Sequence, residues 1–344
     1  MPSLLITRPI GPDATAILEQ SGFNLIMNPE DAAPTREWVL GHLANPDVHG
    51  VCIMHPHKSD RVDEEFLNAC NPNLKVISTM SVGYDHIDVE GAKKRGIKVG
   101  HTPGVLDDSV ADITVMLVLM TMRRVEEGIQ IIKAGEWPTL PWGPFVMTGP
   151  SIGHPNLTFG FLGFGRISQE TVKRLLAFAN KSQPPTIIYN SSRARRNQQE
   201  IDAEYTKKFG VTVQRVEKDE LAARSDVLIV LCVQNESTIN LVNKDFLRKM
   251  KKSAVLINSA RGPIVNSEDL AWALDQGEIY GAGLDVITHE PNVGPDHPLV
   301  QHRRCVVIPH MGSADFDTRI AMASRCARNC IQGARGEALE AEVP

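Results

Sequence analysis

The chain has 344 residues, 42% of them apolar and 22% charged, with a net charge of −5. At roughly 100–200 residues per domain that length predicts two domains, and the composition excludes a disordered chain, a collagen-like chain and a coiled coil. Both signs of charge are mixed along the sequence, so a nucleic acid is not an expected partner, and the longest strongly apolar stretch, near Ile113–Met122, is only about half of a membrane span.

A short apolar strand, Leu4-Leu5-Ile6, opens the chain, followed by a Gly-Pro break and a helix over Asp13–Ser21. Val51-Cys52-Ile53-Met54 predicts a second buried strand. A helix over Asp63–Cys70 leads to a third, Leu74–Ser78, and Ile97-Lys98-Val99 is a fourth. Strands alternating with helices predict parallel βαβ units. Ser109–Met122 is a nearly continuous apolar helix, of the kind buried on most sides. Prolines and glycines then crowd Pro138–Pro155, which predicts a loop. A second alternating series follows. It holds strands at Leu157–Leu162, Thr186–Tyr189, Val227–Val233, Ala254–Ile257, Ala282–Val286 and Val306–Ile308. A helix is expected over Ile167–Ala179 and a long one over Asp315–Gly333.

The six cysteines have no CxxC or zinc spacing, and Cys326 and Cys330, one helical turn apart, read as a packed helix face. Met1-Pro2-Ser3-Leu4 lacks a charged region followed by an apolar one, so no signal peptide is visible. Both features lead to the expectation of a reduced, cytoplasmic protein. His55 and His57 form an HxH at a strand end, with no third ligand nearby, so no metal is expected.

The strand ending at Leu162 runs into Gly163-Phe164-Gly165-Arg166-Ile167-Ser168, a GxGxxG pattern with Ser in the third place. The first glycine permits a tight turn, the second lets a pyrophosphate approach the backbone, and the third normally lets helix and strand pack closely. The helix that follows presents unpaired N–H groups and a positive dipole end to the phosphates. Ser168 is small, so it is expected to weaken that packing without abolishing it. A strand before and a helix after place the motif in the right context for a dinucleotide. An NAD site usually has an acid at the end of the next strand, for the ribose 2′-OH. Here that strand ends Tyr189-Asn190-Ser191-Ser192-Arg193, with no acid. Hydroxyls and a guanidinium suit a 2′-phosphate, so NADP(H) is expected over NAD(H).

Three later segments carry isolated polar groups at strand ends: Asn258-Ser259-Ala260-Arg261-Gly262, Asp285–Pro291, and Pro309-His310-Met311-Gly312-Ser313. In open α/β sheets ligands sit at the carboxyl ends of strands. One Arg, one Glu and one His converging there suit a 2-oxo acid. The Arg forks onto carboxylate and carbonyl, the His gives a proton to the carbonyl oxygen, and the Glu fixes the tautomer of the His and favours its charged form.

These motifs resemble the D-isomer-specific 2-hydroxyacid dehydrogenases, and within them the reductases of glyoxylate and hydroxypyruvate. The resemblance rests on Ser78–Asp88, Gly160–Ser168, Asn258–Gly262, Gly283-Leu284-Asp285 with Glu290-Pro291, and Pro309–Ala314, and runs from the Asp60-Arg61-Val62-Asp63 loop to the last helix. It implies NADPH-dependent reduction, with Arg261, Glu290 and His310 as the catalytic set. Val82 and Gly83, and Ser313, would meet the substrate. Gly163, Gly165, Arg166, Ile167, Ser191, Ser192, Arg193, Cys232, Val233, Ser259, Ala260, Asp285 and Gly312 would meet the cofactor, and Thr114 would face its nicotinamide. Cys232 would be lining, not a nucleophile. The resemblance also implies an α/β fold of two nested domains. A flavodoxin-like substrate domain would span residues 1–106 and 299–344, and a Rossmann doubly wound parallel sheet 107–298, with a cleft between them that closes on substrate. It further implies a homodimer through the helix at Ser109–Met122. Asp112 stands where many members have Glu. The loop Trp137–Gly149 is longer than in the closest reductases. Trp142 matches one of their loop aromatics, and Val146 stands where a second is expected. A dehydrogenase for another 2-hydroxy acid, such as D-lactate, is the second reading; a non-catalytic dinucleotide-sensing interaction protein is the third.

Overall fold

The computed structural model describes residues 1–54 and 57–344, so His55 of the HxH pair lies outside the described residues. The chain divides into two compact units. One combines Met1–Leu106 with Ser313–Pro344, and the other is Asp107–Gly312.

The first unit is built on five parallel strands: β1 (Ser3–Ile6), β2 (Asn24–Met27), β3 (Val48–Ile53), β4 (Val76–Thr79) and β5 (Lys98–Gly100). Their order is β2-β1-β3-β4-β5, that of a flavodoxin-like sheet. The helix Phe316–Arg335 packs against β3 and β4. Asp315 caps its first turn by accepting from the Thr318 N–H, and Gly336 ends it in the left-handed region. Cys326 and Cys330 are fully buried, and the Cys326 thiol donates to the Ser78 carbonyl.

The second unit has seven parallel strands: β6 (Thr158–Leu162), β7 (Thr186–Asn190), β8 (Val213–Arg215), β9 (Val227–Val230), β10 (Val255–Asn258), β11 (Gly281–Leu284) and β12 (Cys305–Val307). The order is β12-β11-β10-β9-β6-β7-β8, a doubly wound sheet whose strand order reverses between β9 and β6. Its central strands are buried on both faces. In β9, Leu228 and Val230 join one apolar cluster while Val227 and Ile229 join the other. That is why they read as unbroken apolar runs and not as alternating ones. The helix Asp107–Met122 supplies Val115, Leu117, Val118 and Met122 to the second cluster. Part of its apolar excess is therefore buried within its own unit.

Two edge strands, β2 and β8, were not expected from the sequence. They are four and three residues long, and neither is a fully buried apolar run. The strand expected over Val227–Val233 stops at Val230, where Leu231 turns to donate to the Leu162 carbonyl. The returning segment of the first unit begins at Ser313 and not at residue 299, because β12 pairs in parallel with β11. Among the described residues no helix is long and apolar enough to cross a membrane.

Candidate active site

Strand register explains how the three polar segments of the second unit meet. Asn258 at the end of β10 pairs with Leu284 at the end of β11, and Leu284 pairs with Val307 of β12. Three neighbouring strands thus end level, and the chain leaves each of them on the same edge of the sheet. Arg261 follows the first exit, Asp285 and Glu290 the second, and His310 the third.

Each segment is fixed by its own hydrogen bonds. The Asn258 side chain folds over the β10 exit, accepting from the Ala260 N–H at 3.1 Å and donating to the Arg261 carbonyl at 3.0 Å. The Arg261 guanidinium is half-buried and donates to the Ala260 carbonyl at 2.9 Å. Gly262 is required by close approach, since a Cβ there would lie 2.2 Å from the Ile287 carbonyl carbon. That contact sets the arginine segment against the strand exit that carries Glu290.

Glu290 and His310 form a pair, with Nδ1 of the imidazole 2.9 Å from Oε1 of the carboxylate. The other carboxylate oxygen of Glu290 accepts from the Ile287 N–H at 3.4 Å. Both side chains are partly exposed, 30% for His310 and 18% for Glu290, so a small molecule can reach them. His310 itself has φ +50°. A non-glycine residue in that region is costly unless its surroundings impose it. Here the His310 N–H donates to the carbonyls of Asp285 and Ile308. Asp285 is buried, and its two oxygens accept from the Met311 and Gly312 N–H groups at 2.7 and 3.0 Å. Burial pushes the Asp285 carboxyl up from the usual carboxylate range, against the opposing pull of His310 and the two N–H donors. This clamp on the histidine segment had no sequence signal, because the N–H groups it binds follow 26 and 27 residues later.

On the other side of β9 lies the glycine turn. Gly163 has φ +92°, a conformation that an L side chain would strain. A Cβ on Gly165 would meet nothing within 4 Å, so the backbone there is open to an approaching group. The helix Arg166–Phe178 starts at Gly165 with no side chain capping its first turn. The buried Ser259 hydroxyl has no hydrogen-bond partner among the described residues. An open cradle, uncapped N–H groups and an unpartnered hydroxyl all fit a dinucleotide. Ser168 is fully buried and donates to the Gly163 carbonyl at 3.0 Å, so its hydroxyl ties the helix back to the turn. Arg166 is paired with Asp107 at 2.9 Å, a partner the sequence reading missed.

Ser191 is half-buried, and Ser192, Arg193, Arg195 and Arg196 are exposed in the segment after β7. Cys232 lies just past β9, and burial pushes its thiol up to about 11, which suits lining and not nucleophilic attack. Val233 beside it is exposed. Thr114 is fully buried and its hydroxyl donates to the Val110 carbonyl, so it is not brought to a surface here. Val82, Gly83 and Ser313 belong to the first unit. Val82 and Gly83 lie in the turn after β4, where the Ser81 hydroxyl donates to the Gly83 carbonyl at 2.7 Å. No group of three or more His, Cys, Asp or Glu that could hold a metal occurs among the described residues.

Residues 115–312 match the model of the D-isomer specific 2-hydroxyacid dehydrogenase NAD binding domain. The chain belongs to the D-isomer specific 2-hydroxyacid dehydrogenases. A glyoxylate reductase/hydroxypyruvate reductase of Mus musculus is 39% identical over 99% of this chain and 97% of its own length. The protein of the same name from Homo sapiens is 42% identical over 86% of this chain and 84% of its own. Among solved structures, the NADPH-dependent glyoxylate/hydroxypyruvate reductase of Sinorhizobium meliloti, in complex with NADP and malonate, superposes with a TM-score of 0.78. It is 28% identical, over 99% of this chain and 96% of that one. This 2-hydroxyacid dehydrogenase therefore carries an NAD(P)-binding domain on its seven-stranded sheet.

Proposed function

We propose that this dehydrogenase reduces glyoxylate and hydroxypyruvate to glycolate and D-glycerate, with NADPH preferred over NADH. The observation that carries the proposal is the Glu290–His310 pair at 2.9 Å, on the two strand exits that follow that of Arg261 across the sheet. The names of the full-length relatives support the substrate class.

The bound cofactor would supply a hydride to the carbonyl carbon. Arg261 forks onto the carboxylate and the carbonyl oxygen of the 2-oxo acid and draws electron density from the carbon. His310 gives a proton from Nε2 to that oxygen, so the carbonyl becomes a hydroxyl and the imidazole becomes neutral. Glu290 accepts from Nδ1–H throughout, which holds the ring with Nε2 towards the substrate oxygen. In this reading the substrate carboxylate meets backbone N–H groups of Val82 and Gly83, with Ser313 nearby in sequence to His310. The pyrophosphate would lie against Gly163, Gly165, Arg166 and Ile167, and the nicotinamide end against Cys232, Val233, Ser259, Ala260, Asp285 and Gly312.

The 2′-phosphate preference rests on half-buried Ser191 and exposed Ser192 and Arg193, at the end of a strand that has no acid. The bound NADP of the Sinorhizobium meliloti enzyme supports it. A homodimer and a cytoplasmic location complete the proposal, and Trp142, 90% exposed, and Phe145, 85% exposed, are consistent with a partner surface.

A substrate panel tests the proposal: oxidation of NADPH and of NADH with glyoxylate, hydroxypyruvate and pyruvate. Turnover of the first two with a clear NADPH advantage is expected. In Arg193→Ala the kcat/KM for NADPH falls about 10-fold or more, and that for NADH stays within about twofold. Pyruvate as the best substrate, or a clear NADH advantage, overturns the corresponding part.

A further inference from the structure

We propose that Glu217, held by Arg215, is a cofactor-selectivity residue that opposes the 2′-phosphate and leaves the enzyme able to use NADH. The proposal rests on the reading that Ser191, Ser192 and Arg193 face that phosphate.

The placement comes from the edge of the seven-stranded sheet. β8 runs parallel to β7, with Arg215 level with Tyr189. The pairing continues past the strand ends. The Val216 N–H donates to the Tyr189 carbonyl at 2.8 Å, and the Asn190 side chain donates to the Val216 carbonyl at 2.8 Å. Glu217 therefore leaves the sheet beside the Ser191–Arg193 segment. Arg215 joins the two. Its Nη2 donates to the Ser191 carbonyl at 3.3 Å and its Nη1 pairs with Glu217 at 2.6 Å. The Arg215 side chain is only 10% exposed, and its Nε is buried with no hydrogen-bond partner. A buried cation is thus fixed under the segment, and the carboxylate it anchors is 77% exposed.

A second acid at this strand end, Asp202, is already committed. Its carboxylate accepts from the Tyr189 hydroxyl, the Gln198 amide and the Arg215 N–H. Glu217 is the one that faces solvent. An anchored carboxylate repels a dianionic phosphate, and it also neutralises much of the field of the arginine beneath. Towards an unphosphorylated ribose it does the opposite, because a carboxylate accepts from ribose hydroxyls. That is the role an acid at the end of the second strand has in NAD sites. Here the acid comes from the third strand of that half-sheet instead.

The test is calorimetric binding of 2′,5′-ADP and of 5′-AMP to the full-length wild type and to Glu217→Gln. The ratio of the two affinities is expected to shift towards 2′,5′-ADP by about 5–10-fold, with the shift shrinking in high salt. The kcat/KM ratio for NADPH over NADH should move in the same direction. Glu217→Ala, which removes the same exposed charge, should reproduce the change. A ratio that moves less than about twofold, or towards 5′-AMP, overturns the proposal. Arg193→Ala is measured in parallel. If it leaves 2′,5′-ADP binding intact, the phosphate reading fails, and the Glu217 ratio still decides the role of Glu217.

Discussion

A histidine transfers a proton productively only when its tautomer and its aim are both fixed. Glu290 does the first for His310 through the 2.9 Å contact with Nδ1. Asp285 does the second by gripping the two N–H groups that follow the histidine. Glu290 acts through the histidine, so its loss should change the rate and not the cofactor affinity. In Glu290→Gln, kcat is expected to fall about 10²-fold while the KM for NADPH stays within about twofold. An unchanged kcat, or a loss confined to KM, would contradict the positioning role. At this scale the residue types were legible: an Arg, a Glu and a His, each after its own strand. The roles of Asn258 and Asp285 as clamps were not, because they bind backbone groups. Nothing in a side-chain pattern marks which N–H or carbonyl a carboxylate or amide will reach.

Elements with long apolar runs were read to within a residue or two, because burial on both faces leaves no ambiguity of type. β10 and the helix Asp107–Met122 are of this kind, while β9 begins where expected and stops three residues early. The edge strands β2 and β8 escaped. An edge strand is held by one neighbour only, so its sequence, Asn24-Leu25-Ile26-Met27 or Val213-Gln214-Arg215, need not be apolar throughout. Of the two, β8 is the strand that leads to Glu217, beside the proposed 2′-site.

The end of the chain gives a prediction at the same scale. Glu340 joins Arg325 and Arg328 of the helix Phe316–Arg335 at 2.8 and 2.6 Å. The Arg328 and Arg325 guanidinium groups hold its carboxyl below the usual glutamate value. A lowered native pKa stabilises the fold above the unfolded value, and that stability is lost as pH falls through the native one. Glu340→Gln should therefore cost about 1 kcal/mol in urea unfolding at pH 7, and almost nothing once pH is well below about 4. A difference that persists unchanged in acid would contradict the account.

At the scale of the whole molecule, the family resemblance implied two nested units, with both chain ends in the same one. The structure forms two such units, one of them closing at Gly312, where the match to the family's NAD binding domain also ends. The expected boundary at residue 299 was early because β12 is a short strand whose pairing with β11 follows from register and not from composition. The apolar helix Asp107–Met122 teaches a related lesson. Apolar excess shows that a face is covered, but not by what. Part of its covering here is the helix Arg166–Phe178 together with its own sheet.

The central claim is that His310 is the proton donor in reduction of a 2-oxo acid. Its most direct test is the steady-state rate of NADPH oxidation with glyoxylate by the wild type and by His310→Ala. The wild type should turn over, and the variant's kcat should be lower by about 10²–10⁴-fold. Comparable turnover by the two proteins would contradict the assignment.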